Sequence, residues 1–114
     1  MLALNESELS QKIFEFSNDG IFILLLDENR IIDVNPSETK MLGYSRDELL
    51  TMRISDIHPK EMDLLEEFAN QVLAKGAGWS NELTCKTKKG ELLFVEVSAS
   101  MITIDDQKYL ISMV

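Results

Sequence analysis

The sequence predicts an α+β domain built on one antiparallel sheet. After an N-terminal helical pattern, two short apolar runs are followed by a string of helical patterns and then by three longer β patterns. The connections within each group of strands are only a few residues long, which makes neighbouring strands antiparallel. A length of 114 residues with 45% hydrophobic residues suits a single compact domain.

The first predicted element is a short amphipathic helix over residues 5–17. Asn5 and, three places on, Glu8 form the capping-box pattern that begins a helix. The apolar residues at helical spacing on this segment are Leu9, Ile13 and Phe16. We expect residues 1–18 to flank a core domain of residues 19–114.

Two strands and a helix start follow. Residues 21–26 lack helical periodicity, which indicates a strand buried on both faces, and a turn signal at 27–30 joins it to a second strand. Asn35 is a helix cap with Pro36 at the first helical position, and Glu38 is placed to reach back to the start of that helix.

The middle of the chain is predicted to be helical. Gly43 ends the helix that Asn35 begins, and Ser45 begins another short one. The longest helix is predicted from Pro59 to Lys75, before Gly76. Its apolar stripe consists of Leu65, Phe68, Ala69, Val72 and Leu73.

Three strands complete the chain. They are predicted over residues 79–87, 92–104 and 108–114, with turns at 88–90 and 105–107. The predicted topology is therefore two strands, a helical segment and three strands.

Composition and charge exclude several classes of function. A net charge of -9 repels phosphate backbones and anionic membrane surfaces, so direct nucleic-acid binding is not expected. No apolar run approaches the roughly 20 residues that span a bilayer, and we expect a cytoplasmic protein without direct membrane insertion. The single cysteine, Cys85, and the single histidine, His58, form neither a nucleophile–base pair nor a metal site, so neither catalysis nor metal binding by this segment is expected.

A series of short motifs occurs in an order and spacing typical of one family. They are Asp19-Gly20-Ile21, Val34-Asn35-Pro36, Leu42-Gly43-Tyr44-Ser45, Glu48-Leu49-Leu50, Asp56-Ile57-His58-Pro59, Trp79 to Leu83, Lys89-Gly90 and Phe94-Val95-Glu96-Val97-Ser98. Together they resemble PAS domains, the sensory modules of bacterial signalling proteins. The resemblance implies a five-stranded sheet in the order 2-1-5-4-3 with the helices on one face, enclosing a small pocket.

The resemblance also implies a regulatory function. Similar domains continue through an Asp-Ile-Thr motif into a linker, and this chain ends where that motif would begin, so we expect an output domain in the parent chain. That output is expected to be a histidine kinase or a diguanylate cyclase of a two-component or related signal-transduction system. The input is either a small ligand or a change in dimer packing, and the alternative is a ligand-free dimerisation or adaptor module.

Pattern and resemblance assign the faces of the long strand differently. Alternation alone buries Val95, Val97 and Ala99 beneath the helices. The resemblance implies the reverse, and we adopt it. The ligand-binding candidates on that basis are Phe22, Leu24, Leu26, Leu83, Cys85, Glu96, Ser98 and Ser100.

The other face of the sheet then becomes a large apolar patch, which soluble monomers rarely expose. We expect the N-terminal helix or the same face of a second chain to cover it, and hence a homodimer. The residues of this predicted docking face are Leu9, Ile13, Phe16, Ile21, Ile23, Leu25, Val95, Val97, Ala99, Ile111 and Met113.

No cofactor is expected. Haem binding in similar domains needs a histidine on the long helix, but His58 lies ahead of it. Cysteinyl-flavin photochemistry needs a cysteine at the position that matches Ile54. Non-covalent FAD stays an alternative, because Trp79 and its neighbours resemble the flavin-binding subgroup, although Cys85 stands where that subgroup has an asparagine.

Three of the residues discussed above have structural interpretations as well. Glu96 could hold a cationic or hydroxylated ligand, or pair with a basic residue across the sheet. Cys85 is interpreted as a small buried filler and not as a redox switch, and Trp79 as a packing anchor and not as a stacking platform.

Overall fold

The fold is a five-stranded antiparallel sheet with helices against one of its faces. In this computed structural model, which describes residues 5–114, the strand order is β2-β1-β5-β4-β3. The strands are β1 (Ile21–Leu25), β2 (Arg30–Val34), β3 (Ala77–Lys86), β4 (Leu92–Ile104) and β5 (Gln107–Met113). The helices are α1 (Glu6–Phe16), α2 (Pro36–Leu42), α3 (Arg46–Thr51), α4 (Ile54–Ile57) and α5 (Met62–Lys75). The predicted α+β class and strand order are confirmed.

Helices begin and end largely where the capping residues predict. The side chains of Asn5, Asn35 and Ser45 each accept a hydrogen bond from the backbone amide three residues on, which satisfies a donor that has no partner within the helix. Gly43 and Gly76 follow α2 and α5 with a φ of 84° each, a left-handed conformation that glycine adopts without steric cost.

The longest helix departs from the prediction at both its start and its stripe. It begins at Met62 and not at Pro59, because Lys60 has a φ of 65°, which is incompatible with a helix. Leu73, predicted in the apolar stripe, is 47% exposed. The buried residues of α5 are Leu65, Phe68, Ala69 and Val72.

The apolar core lies between the helices and the inner face of the sheet. Helix α5 packs across β3 and β4, α3 packs against β2, and α2 contacts β1. The core residues contributed by the sheet are Phe22, Leu24, Ile31, Val34, Leu83, Cys85, Val95, Val97, Ala99 and Leu110. Those contributed by the helices are Leu42, Leu49, Ile54, Ile57, Leu65, Phe68 and Val72.

The face adopted for β4 was wrong. Val95, Val97 and Ala99 are buried in the core, whereas the side chains between and beyond them point to solvent. The exposed residues are Glu96, Ser98 and Ser100. The register explains this result, because Val95 is paired with buried Leu83 and paired residues share a face. Burying the valines also removes apolar surface from water without desolvating a carboxylate.

The rest of the predicted docking face is divided. On the outer face, Ile21 and Leu25 are nevertheless buried, Ile23 and Ile111 are half-buried, and Met113 is 38% exposed. Val95, Val97 and Ala99 lie on the opposite, inner face and therefore cannot belong to a docking surface on the outer face.

Helix α1 does not cover the outer face with its apolar stripe. Leu9 is 49% exposed, Ile13 61% and Phe16 73%. The end of the helix is instead held against the start of α2, where Asn35 Nδ2 donates to the Phe14 carbonyl over 3.1 Å. Within residues 5–114 the stripe is therefore open to solvent.

Candidate functional site

The structure separates the predicted pocket residues into two groups. Four of them lie together on the inner face and belong to the core: Phe22, Leu24, Leu83 and Cys85. Leu26 packs at the margin of that core. The three polar members, Glu96, Ser98 and Ser100, lie on the opposite, outer face and cannot line the same pocket.

A cleft opens between α5 and β3, which we call the α5–β3 cleft. Its volume is about 200 Å³. Residues from α5 and from the middle of β3 form its walls: Leu64, Glu67, Phe68, Gln71, Trp79, Ser80, Asn81, Glu82 and Leu83.

The cleft lies where β3 is irregular. Pairing with β4 runs to Ser80 opposite Val97 and resumes at Leu83 opposite Val95. Two residues of β3 thus stand against one residue of β4 in this interval, which makes a β-bulge and bends the strand. The bulge contributes Asn81 and Glu82 to the wall of the cleft.

The lining of the cleft changes from apolar to polar towards its opening. Phe68 and Leu83 are 5% and 1% exposed and connect the cleft to the core. Glu67 and Glu82 bring negative charge, and Trp79, which is 56% exposed, offers a partly open aromatic surface. This arrangement suits a small ligand with an apolar part and a cationic or hydrogen-bond-donating part, and it disfavours an anion.

A buried hydrogen-bond network fixes the start of α5 relative to β3. His58 Nδ1 lies 2.7 Å from the Thr84 carbonyl, and the Thr84 amide donates to Glu61 Oε2 over 3.0 Å. Burial lowers the pKa of His58, and the Thr84 carbonyl and Glu61 oppose that effect. A neutral imidazole with its proton on Nδ1 satisfies this geometry. These contacts therefore tie the segment before α5 to Thr84 of β3, next to the cleft residue Leu83.

One buried carboxyl group, that of Glu38, was not predicted from the sequence. Glu38 was expected to reach back to the start of α2, but its side chain is 0% exposed and lies in the interior. Neither of its carboxylate oxygens has a hydrogen-bond partner among residues 5–114. The signal that could have located it is its spacing from Leu42, since residues four apart share a face of a helix and Leu42 is a core residue.

The structure agrees with the structural interpretation of Cys85 but not with that of Trp79. Cys85 is 1% exposed, and burial, with Glu38 and Glu61, raises the pKa of its thiol to about 12, which disfavours the reactive thiolate. This agrees with a small buried filler. Trp79 stands at the edge of the α5–β3 cleft and is not a buried anchor.

Within residues 5–114, no three His, Cys, Asp or Glu side chains are grouped so that they could hold a metal ion. No described helix combines the length and the apolar character needed to cross a bilayer.

Comparison with known proteins gives a family match over most of the chain. The family model described as "PAS domain" matches residues 18–114. The PAS domain structure of a protein from Colwellia psychrerythraea superposes with a TM-score of 0.83 at 20% identity, covering 96% of each chain. This structural similarity concerns the fold.

Two curated relatives are sensors. The chain is 33% identical to the methyl sulfide methyltransferase-associated sensor of Methanosarcina acetivorans over 112 residues, which are 96% of this chain and 11% of the relative. It is 25% identical to the sensor histidine kinase TmoS of Ectopseudomonas mendocina over 118 aligned positions, covering 99% of this chain and 12% of the relative. The chain thus spans only about a ninth to an eighth of the length of these relatives.

Proposed function

The chain belongs to the PAS domain family, and on that premise we propose that it is a sensory input domain that binds a small molecule in the α5–β3 cleft. The similarity to a sensor histidine kinase supports a histidine kinase as its output and favours it over a diguanylate cyclase. The catalytic step of signalling then belongs to that output, and this domain regulates it.

The observation that carries the proposal is the cleft itself. It is partly open to solvent, and its lining includes the core residues Phe68 and Leu83. A ligand there contacts a helix and a strand that otherwise pack directly, so it acts on their relative position. The volume of the cleft, about 200 Å³, is below the roughly 300–1,000 Å³ of pockets for drug-sized molecules, which favours a small metabolite as the ligand.

Binding is converted into a signal only if the ligand prefers one arrangement of α5 and β3 over another. The shift cannot exceed the difference between the ligand's affinities for the two arrangements, typically about 1–3 kcal/mol. The change would pass through β4, the partner of β3, to β5 and on to the output.

A ligand screen with a matched pair of variants tests the cleft. Amines, neutral polyols, small aromatics and carboxylates are screened against the 114-residue chain by chemical-shift perturbation. Gln71→Trp fills the cleft, and Asn70→Trp places the same side chain on the neighbouring exposed position, which does not line it. We expect cationic or neutral compounds to bind the wild type and the Asn70 variant, and to bind the Gln71 variant at least tenfold more weakly.

The opposite results reject the cleft as the binding site. Equal affinities for both variants place a bound compound elsewhere, and a screen in which only carboxylates bind contradicts the charge argument. An absorbance spectrum and native mass spectrum of the purified chain test the cofactor alternative, because yellow colour with a flavin mass favours non-covalent FAD.

A second candidate function, dimerisation without a ligand, is favoured by a different observation. Apolar side chains are exposed on α1 and on the outer face of the sheet, and nothing in the described chain covers them. They are Leu9, Ile13 and Phe16 on α1, with Trp79, Phe94 and Met113 on the sheet. We propose a homodimer in which the α1 stripe of one copy packs on the outer face of the other, since the two surfaces are apolar and belong to every copy.

A further inference from the structure

The carboxyl group of Glu38 is in an unusual environment for a glutamate. It is 0% exposed, and both oxygens lack a hydrogen-bond partner among the described residues. It packs directly against the backbone of Gly20, where the carbon of an added methyl group would overlap Glu38 Oε2. The contact leaves no room on that side for a larger donor or a cation.

A negative charge in this position is costly. Among residues 5–114, no basic side chain forms an ion pair with Glu38. Cys85 on β3, whose thiol pKa Glu38 helps to raise, offers no positive charge, and Asp19, beside Gly20, is exposed and itself acidic. A neutral carboxylic acid avoids the cost of burying an unpaired charge. Burial accordingly raises the pKa of Glu38 from 4.5 to about 8.

Glu38 also lies beside the place where the chain enters and leaves the core. The Gly20 carbonyl accepts a hydrogen bond from the amide of Val114, the residue after β5, over 2.7 Å. One residue later, the Ile21 amide donates to Asn35 Oδ1 over 2.8 Å, and Asn35 Nδ2 donates to the Phe14 carbonyl in α1. The first turn of α2 thus joins the end of α1, the start of β1 and the end of β5.

We propose that Glu38 is a proton-binding site that couples the protonation state of the core to the junction between α1 and the end of β5. At neutral pH the carboxyl group holds its proton and packs against Gly20. In mildly alkaline solution the proton passes to water, and the carboxylate that remains must be hydrated. Because Gly20 blocks the group, hydration moves the first turn of α2 away from Gly20 and loosens the hydrogen bonds of the junction.

The direct test is a pH titration followed by NMR on the 114-residue chain between pH 4 and 10. The side-chain carboxyl carbon of Glu38 is expected to titrate with a midpoint near pH 8. The amide resonances of Gly20 and Val114 are expected to move with the same midpoint. Glu38→Gln, which imitates the neutral acid, is expected to abolish both amide transitions, and Glu66→Gln on the exposed side of α5 is expected to leave them unchanged.

Stability gives an independent readout with a definite sign. The folded chain keeps a proton between pH 4.5 and about 8 that the unfolded chain releases, so unfolding becomes more favourable as the pH rises through this interval. Between pH 4.5 and about 8, the unfolding equilibrium constant of the wild type, relative to that of Glu38→Gln, is expected to rise by up to about tenfold per pH unit. Above this interval the ratio is expected to level off.

Two results would overturn the proposal. A Glu38 midpoint below pH 6 means that the carboxyl group is charged in the folded chain at neutral pH. A midpoint near pH 8 that Gly20 and Val114 do not share means that the acid is buried but not coupled to the junction. Both results come from the wild type alone, so they hold even if Glu38→Gln fails to fold.

Discussion

The two faces of β4 differ sharply although their residues alternate along one strand. Val97 is 4% exposed on the inner face, whereas Ser98 beside it is open to solvent on the outer face. The inner face is covered by α5, and within residues 5–114 no other helix packs extensively across β4. Alternation therefore identifies the two faces of a strand, while the covering elements decide which face is the interior.

The same comparison extends to β5, where it can be tested on two side chains of equal size. Leu110 is 1% exposed on the inner face, and Ile111 next to it is half-buried on the outer face. Leu110→Ala is expected to lower the free energy of unfolding by about 2–5 kcal/mol, because it leaves a cavity in a packed core. Ile111→Ala is expected to cost less than half of that. Urea unfolding of both variants measures the difference, and equal losses would contradict the assignment of the faces.

A substitution at the junction between α1 and the end of β5 is expected to have a smaller effect on the free energy of unfolding. Gly20 does not have a positive φ, so alanine is compatible with its backbone, but the added methyl group overlaps Glu38. Gly20→Ala is expected to cost about 1–3 kcal/mol through overpacking. In a Glu38→Ala background the same change is expected to cost less than half as much, since the overlapping carboxyl group is gone and only the 3.2 Å approach to the Cα atom of residue 38 remains. A double-mutant cycle by chemical denaturation measures this coupling, and additive losses would exclude the contact.

A substitution in the α1 stripe is expected to have the smallest effect on stability and a separate effect on self-association. Ile13→Glu in the α1 stripe is expected to change the free energy of unfolding of one chain by no more than about 0.5 kcal/mol, because the side chain is 61% exposed. It is expected to weaken self-association measured by sedimentation. Gln11→Glu adds the same charge at another exposed position of the helix and serves as the control. A wild type that stays monomeric at high micromolar concentration contradicts the homodimer.

Much of the fold could be predicted because local signals fix it. Capping residues such as Asn35 and Ser45, and the glycines after α2 and α5, determine where helices begin and end through hydrogen bonds and φ values that depend on a few neighbouring residues. The strand order is not local, and it came from the resemblance to PAS domains. The later start of α5 depends on the left-handed Lys60, which no residue preference indicates.

The candidate site was less predictable because it depends on tertiary contacts. The resemblance was matched to β4 one residue out of phase, and a shift of one residue exchanges the two faces of a strand. Glu38 satisfied a capping pattern, so its burial could be foreseen only from its spacing to Leu42. The α5–β3 cleft arises from a bulge at Asn81 and Glu82, and the extra residue becomes visible only when β3 is paired with β4.

The bulge in β3 has a consequence for the behaviour of the protein at high concentration. β3 is one of the two border strands of the sheet, and a straight border strand invites another molecule to continue the hydrogen-bonded ladder. The bend, with the polar side chains Asn81 and Glu82 on it, interrupts that row of amides and carbonyls halfway along. The irregularity that opens the cleft thereby also makes β3 a poorer template for pairing with the sheet of another molecule.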